Sequence, residues 1–288
     1  MILAKEQTRS LGFGLTAGLA GAALSGGFAL FGAVPQGTTI PIFIGLTIIM
    51  ASAHYWKTLQ MQTMRDEFNQ VKKELSLLGD GIAKTQGLVQ LSDLNQPYPL
   101  PFGGSWALTP DAAAILAREI VIRRPNIIVE LGSGVSTLMV GRLLQKMGCG
   151  HLISLDHDLS WAEDTRRHIA ANGLQDYVEV LDAPLARQQF DARDFDWYQI
   201  PEQLRHIKQI DMLTVDGPPQ TADATILARY PALPAFAAQL SRRAVIFVDD
   251  TKRTTEQEMV KKWLQQYPEW KAKMIDTIPG TCFLERQE

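Results

Sequence analysis

The sequence predicts an α/β domain on a mostly parallel sheet, preceded by two transmembrane helices and a heptad-patterned helix. Three observations carry that prediction. Short apolar runs alternate with helical patterns from about residue 126 to the C-terminus. No Asp, Glu, Lys or Arg occurs from Ser10 to Trp56. Apolar residues recur at spacings of three and four from Met61 onward. The averages of the 288-residue chain hide this division: of all its charged residues only Lys5, Glu6 and Arg9 precede residue 57. A net charge of −3 supplies no basic excess for a nucleic acid, so no nucleic-acid partner is expected. Two cysteines, Cys149 and Cys282, make neither a disulfide framework nor a cysteine-based zinc site.

Residues 1–56 read as a two-span hairpin. The apolar run 11–34 is long enough, at about 1.5 Å per residue, to cross a hydrocarbon core of about 30 Å. Residues 35–39 form a short polar turn, and a second apolar run, 40–56, ends in the interfacial aromatics Tyr55 and Trp56. Gly14, Gly18, Ala22 and Gly26 place small side chains on one helix face, as close helix packing in lipid requires. Lys5 and Arg9 before the hairpin, and Lys57, Arg65, Lys72 and Lys73 after it, put both termini on the cytoplasmic side. The expectation is a multi-pass protein of the cell (inner) membrane, with the lipid bilayer as a partner.

Residues 57–94 read as an amphipathic helix. Met61, Met64, Phe68, Val71, Leu75, Leu78 and Ile82 form an a/d seam, with charged residues on the other faces. Two arrangements stay open: a homo-oligomeric coiled coil through the 61–89 heptads, or local packing, since Gly79, Gly81 and Gly87 weaken the second half. Three prolines in the linker 95–101 end any continuous helix.

From residue 95 to 288 the pattern is that of one domain. Strands are expected at 126–131, 151–156, 177–181, 210–216, 244–249, 271–276 and 281–285, with helices at about 136–147, 159–172 and 254–267. Apolar strands without alternation imply a sheet covered on both faces. Such sheets bind ligands beyond the strand carboxyl ends, where strand order reverses. The candidate acids all lie at strand ends: Glu130, Asp156, Asp182, Asp216, Asp249 and Asp250.

The turn Gly132-Ser133-Gly134 follows the first strand and opens a helix, so a ligand can approach its backbone and free amides. A dinucleotide fingerprint needs glycine at the third position, and Thr137 stands there instead. Glu130 would repel a pyrophosphate but suits a ligand with a cationic amino group, which favours S-adenosylmethionine. Asp156, 24 residues after Gly132, is placed to accept from ribose hydroxyls. Asp182 and Ala183 end the third strand, where an adenine edge would lie.

Residues 106–285 resemble a class I S-adenosylmethionine-dependent methyltransferase of the small-molecule O-methyltransferase-like group. The resemblance rests on residues 130–137, 153–158, 178–184, 215–219 and 247–250, with residues 106–111 matching the segment before the first strand. It implies a Rossmann-like seven-stranded sheet with the last strand antiparallel. It also implies donor contacts from the backbone of Gly132, Ser133 and Gly134 with Thr137 beside them, Glu130 at the methionine end, Asp156 at the ribose and Asp182-Ala183 at the adenine. His157 and Trp161 would flank the adenine. The hairpin and the heptads lie outside the resemblance.

In catechol-type relatives, acids after strands four and five hold a divalent metal. Asp216, Asp249 and Asp250 stand at similar positions and make a set suited to Mg²⁺. Two departures count against it: Asp250 replaces an Asn, and Gly217-Pro218-Pro219 stands where a catalytic Lys is usual. Lys252 is the nearest substitute. With Asp216, Asp249 and Asp250, it completes the catalytic candidates. Trp197 and Tyr198, in the insert 187–209, read either as a substrate lid or as cover for the sheet edge.

The function expected is a membrane-anchored methyltransferase acting on an oxygen or nitrogen of a small-molecule, lipid-linked or glycan acceptor. A membrane-tethered scaffold with a ligand-binding but non-catalytic fold, and an NAD-dependent oxidoreductase, are the alternatives.

Overall fold

In the computed structural model, residues 36–94, 99–102, 107–220 and 227–287 are described, with side chains from residue 44 onward. The chain divides into two compact units, Met1–Leu78 and Gly79–Glu288.

The described part of the first unit is helical. Helix α1, Gln36–Gln90, runs for 55 residues without interruption, because nothing between Trp56 and Met61 breaks a helix. The expected second span, 40–56, is therefore the beginning of a longer helix with a charged continuation. Among the described residues, no helix is long and apolar enough to cross a membrane. The expected first span, 11–34, lies outside the described residues. The two-span hairpin is accordingly withdrawn. The inner-membrane localisation, the cytoplasmic orientation and the bilayer partner rested on it and go with it. The coiled coil is withdrawn as well. Met61, Met64, Phe68, Val71, Leu75, Leu78 and Ile82 are all exposed along a single helix, not buried in a seam.

The second unit begins with the end of α1. Gly87 lets that end approach helix α2, Pro110–Arg123, more closely than any side chain would permit. A Cβ at Gly87 would fall 2.3 Å from the carbonyl carbon of Pro110. Leu91 and Leu94, just beyond, are buried. The glycine that weakens a heptad pattern is thus a packing residue here.

Strand β1, Ile127–Leu131, follows. Helix α3, Val135–Met147, and strand β2, His151–Asp156, complete the first crossover. Helix α4, Leu159–Ala171, and strand β3, Val178–Asp182, complete the second. Strands β4, Leu185–Phe190, and β5, Arg193–Tyr198, pair antiparallel as a separate hairpin. The short helix α5, Glu202–Arg205, leads into β6, Ile210–Val215. Helix α6, Ala232–Phe236, precedes β7, Leu240–Val248. Helix α7, Thr254–Gln266, then β8, Trp270–Ile275, and β9, Thr281–Arg286, end the chain.

The seven-stranded sheet has the order β3-β2-β1-β6-β7-β9-β8. Strands β3, β2, β1, β6 and β7 are parallel, and β9 inserts antiparallel between β7 and β8. Side chains alternate between two cores. Val129, Leu131, Leu155, Leu213, Val215 and Val248 pack on one face with Trp197 and Trp263. Ile128, Leu152, Met212, Val245 and Phe247 pack on the other with Ile120 and Met139. Both faces are therefore largely apolar, with only a few polar side chains such as Ser154 and Thr214 buried within the strands. Strand order reverses between β1 and β6, so the residues after these two strands border the crevice.

The insert is the part of the sheet region that the pattern does not reveal. Its two-residue turn places Asp191 and Ala192 at φ of 48° and 59°. Both residues in the left-handed region suit an I′ hairpin turn, which usually carries Asn-Gly. Asp191 is held by hydrogen bonds from Tyr230 and Gln266.

Replacing Gly87 by Ala should destabilise the chain by about 1–3 kcal/mol through overpacking against the start of α2. Urea denaturation, with an unchanged slope and a lower midpoint, is the measurement that checks this.

Candidate functional site

The carboxyl edge of the sheet is set by backbone bonds between neighbouring strand ends. The amide of Gly132 donates to the carbonyl of Leu155 at 2.8 Å. The amide of Gly217 donates to that of Leu131 at 2.7 Å, and the amide of Asp249 to that of Val215 at 3.2 Å. Gly132, at φ +97°, turns the chain in a conformation that L side chains rarely adopt.

Glu130 is buried and faces the start of α3, where its Oε2 accepts from Thr137 Oγ1 at 2.5 Å. The same hydroxyl accepts from the amide of Gly134 at 2.9 Å. Thr137 thus ties the glycine turn to the strand-end acid, a reason for threonine where a dinucleotide fold would place glycine. Burial pushes the Glu130 carboxyl up to about 7, although hydrogen bonds from Thr137, Ser136 and Ser154 pull it down. A Cβ at Gly134 would meet nothing within 4 Å, so the turn has open space beside it.

Asp156 closes the other side of the turn. Its Oδ2 accepts from the amide of Ser133 at 2.9 Å and from Ser133 Oγ at 2.5 Å. Its Oδ1 accepts from the amide of Asp158 at 3.0 Å and lies 3.5 Å from His157 Nδ1. His157 stands edge-on to Tyr198, with ring centroids 6.2 Å apart. Asp182 is half-exposed and paired with Arg166. The amide of Ala183, a buried residue, donates to the Asp156 carbonyl at 2.7 Å. Trp161 is exposed on the first turn of α4. Glu130, the glycine turn, Asp156 and Ala183 therefore form one contiguous rim.

Asp216, Asp249 and Asp250 come together at the next corner, their carboxylate oxygens all within 4.8 Å of one another. Asp250 occupies the left-handed region at φ 63°, an unfavourable place for a non-glycine residue. The cluster contains its own cation. Arg229, only 4% exposed, brings Nη2 to 3.3 Å from Asp216 Oδ1 and Nη1 to 3.1 Å from Asp250 Oδ2. Nη1 is also 4.0 Å from Glu256 Oε1, and Arg253 Nη1 lies 2.8 Å from Asp250 Oδ2. Burial alone would lower the Arg229 pKa. The carboxylates of Asp216, Asp250, Glu256 and Asp249 outweigh burial and hold it above its ordinary value. Burial raises Asp216, against the pull of Arg229, and raises Asp249 well above the usual carboxylate range with help from Asp216 and Asp250.

Among the described residues, Asp249 Oδ1, Arg229 Nη1 and the Tyr198 hydroxyl are buried at this corner with no hydrogen-bond partner. Tyr198 is fully buried, so of the two readings of the insert the structure favours cover over lid. Its hydroxyl lies 2.3 Å from where a Cβ of Gly217 would be, so a side chain at position 217 would have to displace Tyr198. Lys252 does not join the cluster; its Nζ is 2.9 Å from Asp276 Oδ1 on the exposed surface. The Mg²⁺ expectation meets a direct obstacle, because the guanidinium already provides the positive centre for two of the three carboxylates. The residues present do not fit a divalent ion.

Arg229, Glu256 and Tyr198 are the site residues that motif spacing does not single out. Arg229 follows Asp216 by 13 positions, across a segment with no strand or helix pattern, and nothing in the sequence signals its return to the cluster.

Residues 129–251, which carry the rim and the acidic corner, match a family described as "Methyltransferase domain". The chain is similar in structure to the S-adenosylhomocysteine-bound methyltransferase PaMTH1 of Podospora anserina, at 13% identity and a TM-score of 0.51. That match covers 75% of this chain and 96% of the other, and it shows a shared fold. Two further similar structures are the O-methyltransferase TomG of Streptomyces achromogenes and an O-methyltransferase of Bacillus cereus. TomG is 19% identical, covering 72% of this chain and 90% of that one, with a TM-score of 0.45. The Bacillus cereus protein is 18% identical, covering 71% and 90%, with a TM-score of 0.46. No curated protein matches the chain.

Thr137→Val removes a hydrogen bond that lowers the Glu130 pKa while preserving shape. The Glu130 carboxyl should then titrate above about 7. Carbon-13 NMR of labelled glutamate carboxyls reads this directly, and an unchanged midpoint would contradict the role given to Thr137.

Proposed function

We propose that the chain transfers a methyl group from S-adenosylmethionine to an oxygen of a small-molecule acceptor. The observation that carries this reading is the rim of Glu130, the Gly132–Gly134 turn and Asp156 at the point where strand order reverses. Glu130 receives the donor's ammonium group, the turn backbone lies along the donor, and Asp156 accepts from ribose hydroxyls. Ala183 and Asp182 border the adenine, with His157 close by. Membrane anchoring, and the lipid-linked acceptor it suggested, do not form part of the proposal.

The acidic corner supplies the acceptor chemistry. Transfer is an in-line displacement: an acceptor lone pair forms the new bond to the methyl carbon, and the pair of the breaking C–S bond stays on sulfur. The acceptor proton must go to a base, and Asp249, with its raised pKa and unpartnered Oδ1, is the group chosen. Arg229 Nη1 retains an N–H without a hydrogen-bond partner. An oxygen acceptor has a second lone pair to receive that N–H during attack, whereas an amine has one and uses it in the reaction. This difference favours oxygen over nitrogen.

Donor binding should depend on pH in a stated direction. In the free folded chain Glu130 keeps its proton up to about pH 7, while in the unfolded chain it loses it near the ordinary value of 4.5. The folded state therefore holds the extra proton across this window, and its stability falls as pH rises from about 4.5 to 7. Binding an ammonium to ionised Glu130 releases that proton. Affinity for S-adenosylhomocysteine should thus rise as pH approaches about 7 and level off above it, with Glu130→Gln abolishing the trend. Calorimetry in buffers of different ionisation heat measures both affinity and proton release. A folded full chain that takes up no S-adenosylhomocysteine would sink the functional reading. Radiolabelled methyl transfer to a panel of phenolic and other hydroxylated compounds, compared with amines, tests the choice of oxygen; transfer confined to amines would overturn it.

A further inference from the structure

We infer that the Arg229 guanidinium takes the place of a divalent cation in the Asp216–Asp249–Asp250 cluster, so that acceptor activation in this chain runs without a metal. The inference deepens the proposed function and rests on it for the words "acceptor activation"; the substitution of cation by guanidinium stands on geometry alone.

Three carboxylates with oxygens within 4.8 Å of one another need positive charge between them, and two sources of it are available in proteins. A divalent ion is one. A buried arginine, always charged and presenting several donors in a plane, is the other. Here Arg229 reaches Asp216 through one terminal nitrogen and Asp250 through the other, and Glu256 lies 4.0 Å away behind them. The side chain enters from the segment before α6, which holds it from the far side: Arg229 Nε donates to the Pro218 carbonyl at 3.3 Å. At 4% exposure it has little freedom to swing aside for an ion. Arg253 adds a second positive charge on Asp250 from the solvent side. An entering divalent ion would meet two cations already paired with Asp216 Oδ1 and Asp250 Oδ2.

The fixed cation also has a chemical consequence. A guanidinium donates hydrogen bonds where an ion would accept lone pairs, so it steadies the developing acceptor oxyanion without coordinating it. Deprotonation is left to a carboxylate of the cluster, not to a metal-bound oxygen.

Measurements on the full chain separate these cases. Mn²⁺ titrated into chelator-treated wild type, followed by the paramagnetic signal of the free ion, should reveal no site of one ion per chain. S-adenosylhomocysteine should bind wild type equally with and without EDTA. Arg229→Ala opens the cluster: it should bind Mn²⁺ at least about tenfold more tightly than wild type, and its melting temperature should rise with added Mn²⁺ while that of wild type does not. Adding Asp216→Asn to Arg229→Ala should remove the gain. A wild-type site taking one Mn²⁺ per chain and weakened by Asp216→Asn overturns the inference, as does a folded Arg229→Ala chain that binds no Mn²⁺. If Arg229→Ala does not fold, Arg229→Gln carries the same comparison, and its binding of Mn²⁺ or failure to bind decides in the same way. Failure of S-adenosylhomocysteine to bind wild type under either condition counts against the proposed function and leaves the Mn²⁺ comparison intact.

Discussion

The Arg229 guanidinium lies among Asp216, Asp250 and Glu256 at the carboxyl edge of the sheet, and the arrangement of that edge depends on it. Parallel strands all end in the same direction, so each acid that follows a strand is delivered to one rim. Two unit charges about 4 Å apart interact by about 4 kcal/mol at an effective dielectric of about 20. Unneutralised, the acids after β6 and β7 would push those strand ends apart, yet the Asp249 amide still reaches the Val215 carbonyl. One buried cation therefore allows the topology to concentrate carboxylates without losing strand register.

The rim and the acidic corner share a border but solve opposite electrostatic problems. At the rim Glu130 is buried without a cationic partner among the hydrogen bonds it makes, and its charge is deferred by protonation up to about pH 7. At the corner the charge is present and matched internally. A cationic donor completes the first environment, whereas the second already has its own counter-charge. In the proposed function, this contrast gives the sulfonium donor and the acceptor distinct places along one sheet edge. Tyr198 stands between them, its hydroxyl against Gly217 and its ring against His157.

Much of this was legible in the sequence, and the physics says which part. Strands β1, β2, β3, β6 and β7 are mostly apolar because both faces of the sheet are covered, and acids stand at or just after their carboxyl ends. The glycine turn announced itself through residues 132–134, and Thr137 rightly argued against a dinucleotide. The hairpin β4–β5 did not announce itself: Asp191-Ala192 lacks the glycine that usually marks such a turn, and its conformation is held by Tyr230 and Gln266 from distant parts of the chain. Arg229 was silent for the same reason, since a long-range ion pair leaves no period or spacing. The charge-free N-terminal stretch was over-read. Lack of charge from Ser10 to Trp56 does not end a helix at Trp56, and α1 continues through the charged residues that follow. The heptad seam on α1 likewise describes which side chains share a face, not that a second helix covers them.

The bonds from Ser133 to Asp156 have a consequence for the thermodynamics of binding. Both oxygens of Asp156 are engaged by the chain itself, one by the amide and hydroxyl of Ser133 and the other by the amide of Asp158. The glycine turn, usually the segment that must be immobilised when a nucleotide-like ligand arrives, is already locked to the neighbouring strand. Its ordering entropy is spent during folding, so the donor meets a preorganised cradle. The cost appears elsewhere: a ribose must share or displace Ser133 at Asp156 instead of finding a free carboxylate. Association should thus resemble an exchange of hydrogen bonds on a rigid frame, with selectivity arising from which hydroxyls can replace a serine.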